Sequence, residues 1–273
     1  SVCAMCLPGF SQASSAGTTC VACRAGRFSA VPQAWACSEC PSGFYQNEDA
    51  QASCLPCIPG TLAPFPSATA CTRCGKGTFI SSTAFNGTAC VQCPLGWYQD
   101  AEKATACIPC IPGTTARQKA SAGCQVCAPG RHSSTPGHTT ACTRCTTGKY
   151  QRLEGATACV SCVPGRHQPR EEKTSCEECD AGRFSAGEGK KGLCTVCPAG
   201  FSQIEAGRAS CHLCQPGFFQ KNNASLICDI CPAGYFGQHS KAVACAPCRA
   251  GEVTASVGGA SRCHECLPGT AGG

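Results

Sequence analysis

Cysteine is the residue through which this chain could do chemistry, and it always comes in one spacing, Cys-x-x-Cys. The 32 cysteines form sixteen such pairs with none left over. They are Cys3 with Cys6, Cys20 with Cys23, Cys37 with Cys40, Cys54 with Cys57, Cys71 with Cys74, Cys90 with Cys93, Cys107 with Cys110, and Cys124 with Cys127. The series continues with Cys142 and Cys145, Cys159 and Cys162, Cys176 and Cys179, Cys194 and Cys197, Cys211 and Cys214, Cys228 and Cys231, Cys245 and Cys248, and Cys263 and Cys266.

Four chemistries use this spacing. Covalent haem attachment needs His directly after the second cysteine, whereas here that residue runs Leu7, Arg24, Pro41, Ile58 and onward to Leu267 without one His. Thiol–disulfide exchange uses one pair at a helix N-terminus, where the thiolate is stabilised; sixteen copies in a chain without helical patterning do not fit it. A four-thiolate zinc ribbon fits the local spacing C-x2-C-x13-C-x2-C. Against zinc stand two N-glycosylation acceptors, Asn86-Gly87-Thr88 and Asn223-Ala224-Ser225, each in the variable stretch before a cysteine. Together with the cysteine content they favour structural disulfides, and with them an oxidising, extracellular setting. The expected covalent additions are glycans on Asn86 and Asn223; no metal or other cofactor is expected.

The elements that position these cysteines repeat with them. Eleven of the fifteen steps between pairs are 17 residues, three are 18 and one is 19, which marks an internal repeat. Units start near residues 3, 20, 37, 54, 71, 90, 107, 124, 142, 159, 176, 194, 211, 228, 245 and 263, so residues 1–273 read as one continuous array. Three residues after every second cysteine comes Gly, from Gly9 to Gly269, and Pro precedes it in seven units. Pro then Gly at the centre of a turn is the type II signature, because Gly accepts the positive φ that the third position requires.

One or two residues after that glycine stands an aromatic ring, as at Phe10, Phe28, Tyr45, Trp97 and Phe236, with His132 and His167 in the same slot. The ring is expected against an adjacent cystine, and the polar segment after it as a surface loop or the return limb of a small hairpin. Phe44-Tyr45-Gln46, Trp97-Tyr98-Gln99 and Tyr150-Gln151 recur every third unit. That slower rhythm fits either duplication history or a superhelix with one face repeated every three units.

Cysteines this close, with Gly and Pro between them, leave no room for an amphipathic helix. The expected fold is small, disulfide-rich and mostly β or irregular: an elongated solenoid or rod of about sixteen 17-residue repeats with little or no helix. Two bridging schemes are open. The second cysteine of a pair can join the first of the next, as Cys23 to Cys37, or like can join like across neighbours, as Cys20 to Cys37 and Cys23 to Cys40. The absence of an odd–even difference between units mildly favours the first.

The unit C-x-x-C-x-P-G-x-[F/Y] resembles the ephrin-receptor-like cysteine-rich repeat and, more distantly, the modules of tumour-necrosis-factor receptors. The resemblance covers essentially the whole chain. It implies a secreted or membrane-tethered, disulfide-bonded, elongated protein, and long arrays of this kind are similar to those of large algal and protist surface proteins, including mastigoneme-type proteins of flagella. Family bridging is interlaced, which pulls toward the second scheme, so connectivity stays open at this level.

Other functional classes find little support. Net charge is +6, but Lys and Arg are scattered rather than gathered on a stripe, so no nucleic-acid partner is expected. No apolar run reaches the roughly 18 residues of a membrane span. Asp49, Asp100 and Glu102 lie in polar loops without a calcium-loop pattern. No convergent catalytic set is visible, and an enzyme is not expected. The array begins and ends within repeats and is expected to be part of a longer chain. The functional expectation is an extracellular structural glycoprotein at a cell or flagellar surface, partnered by copies of itself or another extracellular structural chain. The alternative is a receptor or adhesion stalk or ligand-binding ectodomain, with Arg166–Lys173 the one modest candidate patch.

Overall fold

The structure, a computed structural model, describes residues 5–14, 19–81, 89–255 and 257–267. Among them there is no helix, and every strand is two residues long. The chain divides into two compact units, one comprising Ser1–Val126 and Ser133–Cys142, the other Cys127–His132 and Thr143–Gly273.

In the first unit seven antiparallel hairpins follow one another, from Phe10–Ser11 paired with Val21–Ala22 to Thr114–Thr115 paired with Gln125–Val126. In the second there are eight, from Arg131–His132 paired with Thr143–Arg144 to Glu252–Val253 paired with His264–Glu265. The first strand is always the two residues after the turn glycine. The second is the two residues inside the next Cys-x-x-Cys. Each hairpin therefore straddles two sequence repeats, and the polar segment between its strands is a loop rather than a return limb.

The turn that starts each hairpin is the one its Pro-Gly chemistry requires. The turn glycines from Gly9 to Gly251 have φ between 76° and 91°, and the amide after each closes the turn, as Phe10 N–H does on Leu7 O at 3.1 Å. In Thr61, Thr78 and Thr114, the hydroxyl donates to the same turn carbonyl at 2.7 Å.

Two-residue hairpins cannot stand alone. Each is tied to the next by three backbone hydrogen bonds that recur down each unit. In the first unit Gly9 N–H donates to Ser29 O at 2.9 Å, Gln12 N–H to Ala34 O at 2.9 Å, and Gln33 N–H to Cys6 O at 3.0 Å. In the second the same set is Gly148 to Gln168, Gln151 to Lys173, and Glu172 to Cys145, at 2.7, 3.0 and 2.9 Å.

The interior of the array is mainly sulfur. The second cysteine of most pairs is almost wholly buried, as at Cys40, Cys110 and Cys179, whereas Cys57, Cys248 and Cys266 are half-buried. An aliphatic cluster forms around Leu62 and Ile80, packed with Cys74 and Cys90. Elsewhere, among the described residues, large aliphatic side chains are mostly on the outside.

Candidate functional site

The cystines follow one rule. The second cysteine of a pair joins the first cysteine of the next, giving Cys6–Cys20, Cys23–Cys37 and on to Cys110–Cys124 in the first unit. In the second unit the series runs from Cys145–Cys159 to Cys248–Cys263. Cys127 and Cys142 are also disulfide-bonded. Partners are 14 residues apart in most units, 15 or 16 where the loop is longer. Cα–Cα separations of 5.6 to 5.8 Å sit in the ordinary cystine range. Of the two schemes the sequence left open, this is the closed-loop one, and each bridged cysteine precedes one of the two strands that pair, Cys6 before Phe10–Ser11 and Cys20 directly before Val21–Ala22.

Two cysteines fall outside the series. Cys3 lies outside the described residues. Cys266, expected in a disulfide, is half-buried and bridged to no cysteine among the described residues. By the rule its partner is the first cysteine of a following pair.

The slot two residues after the turn glycine lies on the cystine of the following hairpin. Ser11 Oγ is 3.3 Å from Cys37 Sγ, Ser202 Oγ is 3.3 Å from Cys228 Sγ, and His132 Nδ1 is 3.2 Å from Cys159 Sγ. His167 occupies the same slot, is buried, and makes no hydrogen bond through Nδ1.

One buried polar residue escaped the sequence reading. Three residues after the turn glycine, Gln46, Gln99, Gln151, Gln168, Gln203 and Gln220 each staple their own loop. Gln168 Nε2 donates to Ser175 O, just before Cys176, at 2.8 Å, while its Oε1 accepts from Arg170 N–H at 3.1 Å. Gln203 repeats this with Ser210 and Glu205 at 2.8 and 3.0 Å. Both side chains are 1% exposed. Ser29, Ser133 and Ser185 stand at the same position and bond the carbonyl two residues on. The only signal available in the sequence was the recurrence of Gln after the ring.

Asn86 lies outside the described residues. Asn223 is exposed, with Oδ1 accepting the amide of Ala199 at 2.9 Å. Asp49 does the same for Ala25 at 2.8 Å. In both places the residue before the turn glycine is not Pro and so has an N–H to satisfy. Glu102 pairs with Arg73 at 3.8 Å.

The charged patch at 166–173 is largely engaged with acids of its own neighbourhood. Arg166 pairs with Glu178 across the strands, and Arg170 with Glu177 at 2.8 Å. Nearby, Glu172 accepts from Arg131 at 2.5 Å and pairs with Arg144 at 3.1 Å. The Arg131 hydrogen bond is the largest influence on Glu172 and holds its carboxyl below the ordinary glutamate value; Arg170 does likewise for Glu177.

Comparison with known families agrees with this geometry. The family described as tyrosine-protein kinase ephrin type A/B receptor-like matches residues 31–74 and 77–127. Residues 31–127 carry two adjacent ephrin-receptor-like cysteine-rich repeats, and the same hairpin and bridge continue beyond the matched residues. That defines the class: an extracellular or secreted disulfide-rich repeat protein, built of modules of a non-catalytic type. No curated protein matches the chain. Among the described residues no helix is long and apolar enough to cross a membrane.

Proposed function

We propose that this array is a segment of an extracellular structural glycoprotein, stapled by disulfides and packing against copies of itself or another extracellular structural chain into a filament or surface layer. One observation carries the reading. Aliphatic side chains recur on the outside at fixed register positions: Val21, Leu55, Val91, Ile108 and Val160 after the first cysteine, and Leu7, Ile58, Ile111 and Val163 after the second. Their exposure runs from 43% at Ile108 to 68% at Leu7 and Ile111. Apolar surface recurring at one register position in several units suits lateral contact between like surfaces, each contact weak and their number large. Asn86 and Asn223 are the proposed glycan sites, and a cell or flagellar surface the proposed location.

Electron microscopy of the native source material, with sedimentation of the purified protein over a concentration series, tests this. Regular fibres or sheets containing the chain support it. A monodisperse monomer at every concentration sinks it.

A second reading, a receptor stalk or ligand-binding ectodomain, is favoured by the receptor name of the matched family. The patch at Arg166–Lys173 is its candidate surface, although Arg166 and Arg170 are already paired internally. Replacing 166–173 by Ser and Gly abolishes partner binding on this reading; unchanged binding removes the patch from consideration.

A further inference from the structure

His132 differs from Ser11 and Ser202, which touch a cystine from the same slot, because an imidazole is a ready zinc ligand where a serine hydroxyl is not. Its Nδ1 is 3.2 Å from Cys159 Sγ, and the ligand atoms of His132, Cys145 and Cys159 all lie within 4.8 Å of one another. Among the described residues no other group of three His, Cys, Asp or Glu side chains converges in this way. We propose that Cys145, Cys159 and His132 form a redox-gated zinc site, closed while the cysteines are bridged and formed when that one disulfide is reduced.

The chemistry balances with a dithiol as reductant. The dithiol supplies two electrons and two protons to the Cys145–Cys159 bond and leaves as its own disulfide, so the protein gains two thiols. Zn²⁺ then displaces the two thiol protons and takes both sulfurs as thiolates. Neutral His132 binds through Nδ1 and keeps its proton on Nε2. Three protein ligands leave the fourth tetrahedral position to water, the arrangement of an open rather than a closed zinc site.

The surrounding backbone is fixed by bonds that do not depend on the disulfide. The Lys149–Tyr150 and Val160–Ser161 strands stay paired. Glu172 N–H donates to Cys145 O at 2.9 Å, and Gln151 Nε2 to Ala158 O, beside Cys159, at 2.8 Å. With Cα atoms 5.6 Å apart, side-chain rotation alone can move the sulfurs from bonding distance to the roughly 3.8 Å separation of two thiolates on tetrahedral zinc at ~2.3 Å each. Cys145 is fully buried, so the metal would sit largely out of solvent, where thiolates gain most from a cation.

The test uses the full oxidised chain, reduced with one equivalent of a water-soluble phosphine in the presence of Zn²⁺. Native mass spectrometry counts bound zinc, and alkylation with peptide mapping identifies which cysteines the metal protects. The expected result is one zinc per chain, with Cys145 and Cys159 the protected pair. His132→Phe, which places a ring found in the same slot at Phe184, should weaken zinc binding by at least roughly tenfold, a loss that even an outer-shell partner's removal can cause. His132→Ser, the residue found there at Ser11 and Ser202, should do the same, and His167→Phe should leave binding unchanged. Disulfide mapping of each oxidised variant confirms that it folded. No zinc uptake, protection of a different pair, or zinc binding by both His132 variants as tight as by the parent chain overturns the proposal.

Discussion

The carbonyl oxygen of Gly189 lies 2.2 Å from the point a Cβ on Gly148 would occupy. The same relationship joins Gly9 to Ala50, Gly26 to Ser67 and Gly182 to Ala224, at 2.1, 2.4 and 2.3 Å. Most turn glycines thus meet the backbone of the loop two units further on, and there glycine is required twice over, for its positive φ and for this close approach; Gly234 and Gly251 meet nothing within 4 Å.

Gly148→Ala should therefore cost more than the ~1–3 kcal/mol of a strained backbone conformation alone, because backbone atoms and not a flexible side chain stand in the way. Gly155→Ala shares the positive φ but meets nothing within 4 Å, and Gly123→Ala has neither problem. Thermal denaturation should rank them Gly148, Gly155, Gly123 from most to least destabilised. Equal effects at Gly148 and Gly155 would show that the close approach adds nothing.

Gln203→Leu keeps the volume of a 1%-exposed side chain but strips Ser210 O and Glu205 N–H of their partner. An unsatisfied buried group costs about 1–3 kcal/mol. Amide exchange at Glu205 should accelerate while the amides of the neighbouring hairpins stay protected. Unchanged exchange at Glu205 would mean that the staple does not hold the loop.

The Glu172 carboxyl is held below its ordinary value first by the Arg131 hydrogen bond, against a desolvation effect that raises it, with attraction to Arg131 and Arg144 adding to the lowering. A depressed carboxylate contributes stability that is fully present above the ordinary glutamate value and is lost as pH falls through the lowered one. Glu172→Gln should be slightly less stable than the parent at neutral pH, with the gap closing in acid. Chemical denaturation across that range measures it; a gap that persists below pH ~3, where carboxylates are largely protonated, would assign the effect to packing.

Removing one bridge with Cys214→Ser and Cys228→Ser should cost about 3 kcal/mol, the loop-closure value for a loop of this size. New protease cleavage should concentrate between those positions, in the loop that follows Phe218–Phe219. Cleavage spread evenly over the array would show that units open together rather than singly.

The periodic parts of this structure were legible because each repeats a residue with a strong local rule. Cysteine spacing marked the unit, Pro-Gly marked the type II turn, and the crowding of both excluded helix. What stayed hidden had no such rule. Gln33, Ala50, Ser67, Lys103, Ala120, Glu172, Ala224 and Lys241 all adopt positive φ, near 60°, in the loops, although none is the Gly or Asn that usually announces it. Tertiary hydrogen bonds impose it, as Lys103 N–H to Cys74 O does at 2.9 Å. The Gln staples were visible only as a recurrence after the ring, since a buried glutamine and a surface one are spelled alike. Connectivity followed from strand register, which a two-residue strand does not advertise.

The three hydrogen bonds and one bridge that fasten each hairpin reach no further than the next unit or two, and this bears on how the chain folds rather than on how it stands. Contact order sets folding speed, and here the sequence distance between partners does not grow as units are added. A unit leaving the ribosome needs only the following cysteine pair to emerge before its bridge can close. Synthesis and oxidation can then proceed in step from the N-terminus, leaving few unpaired thiols to misjoin at any moment. Array length is therefore nearly free to vary by duplication, without the kinetic penalty that lengthening imposes on folds whose ends must meet.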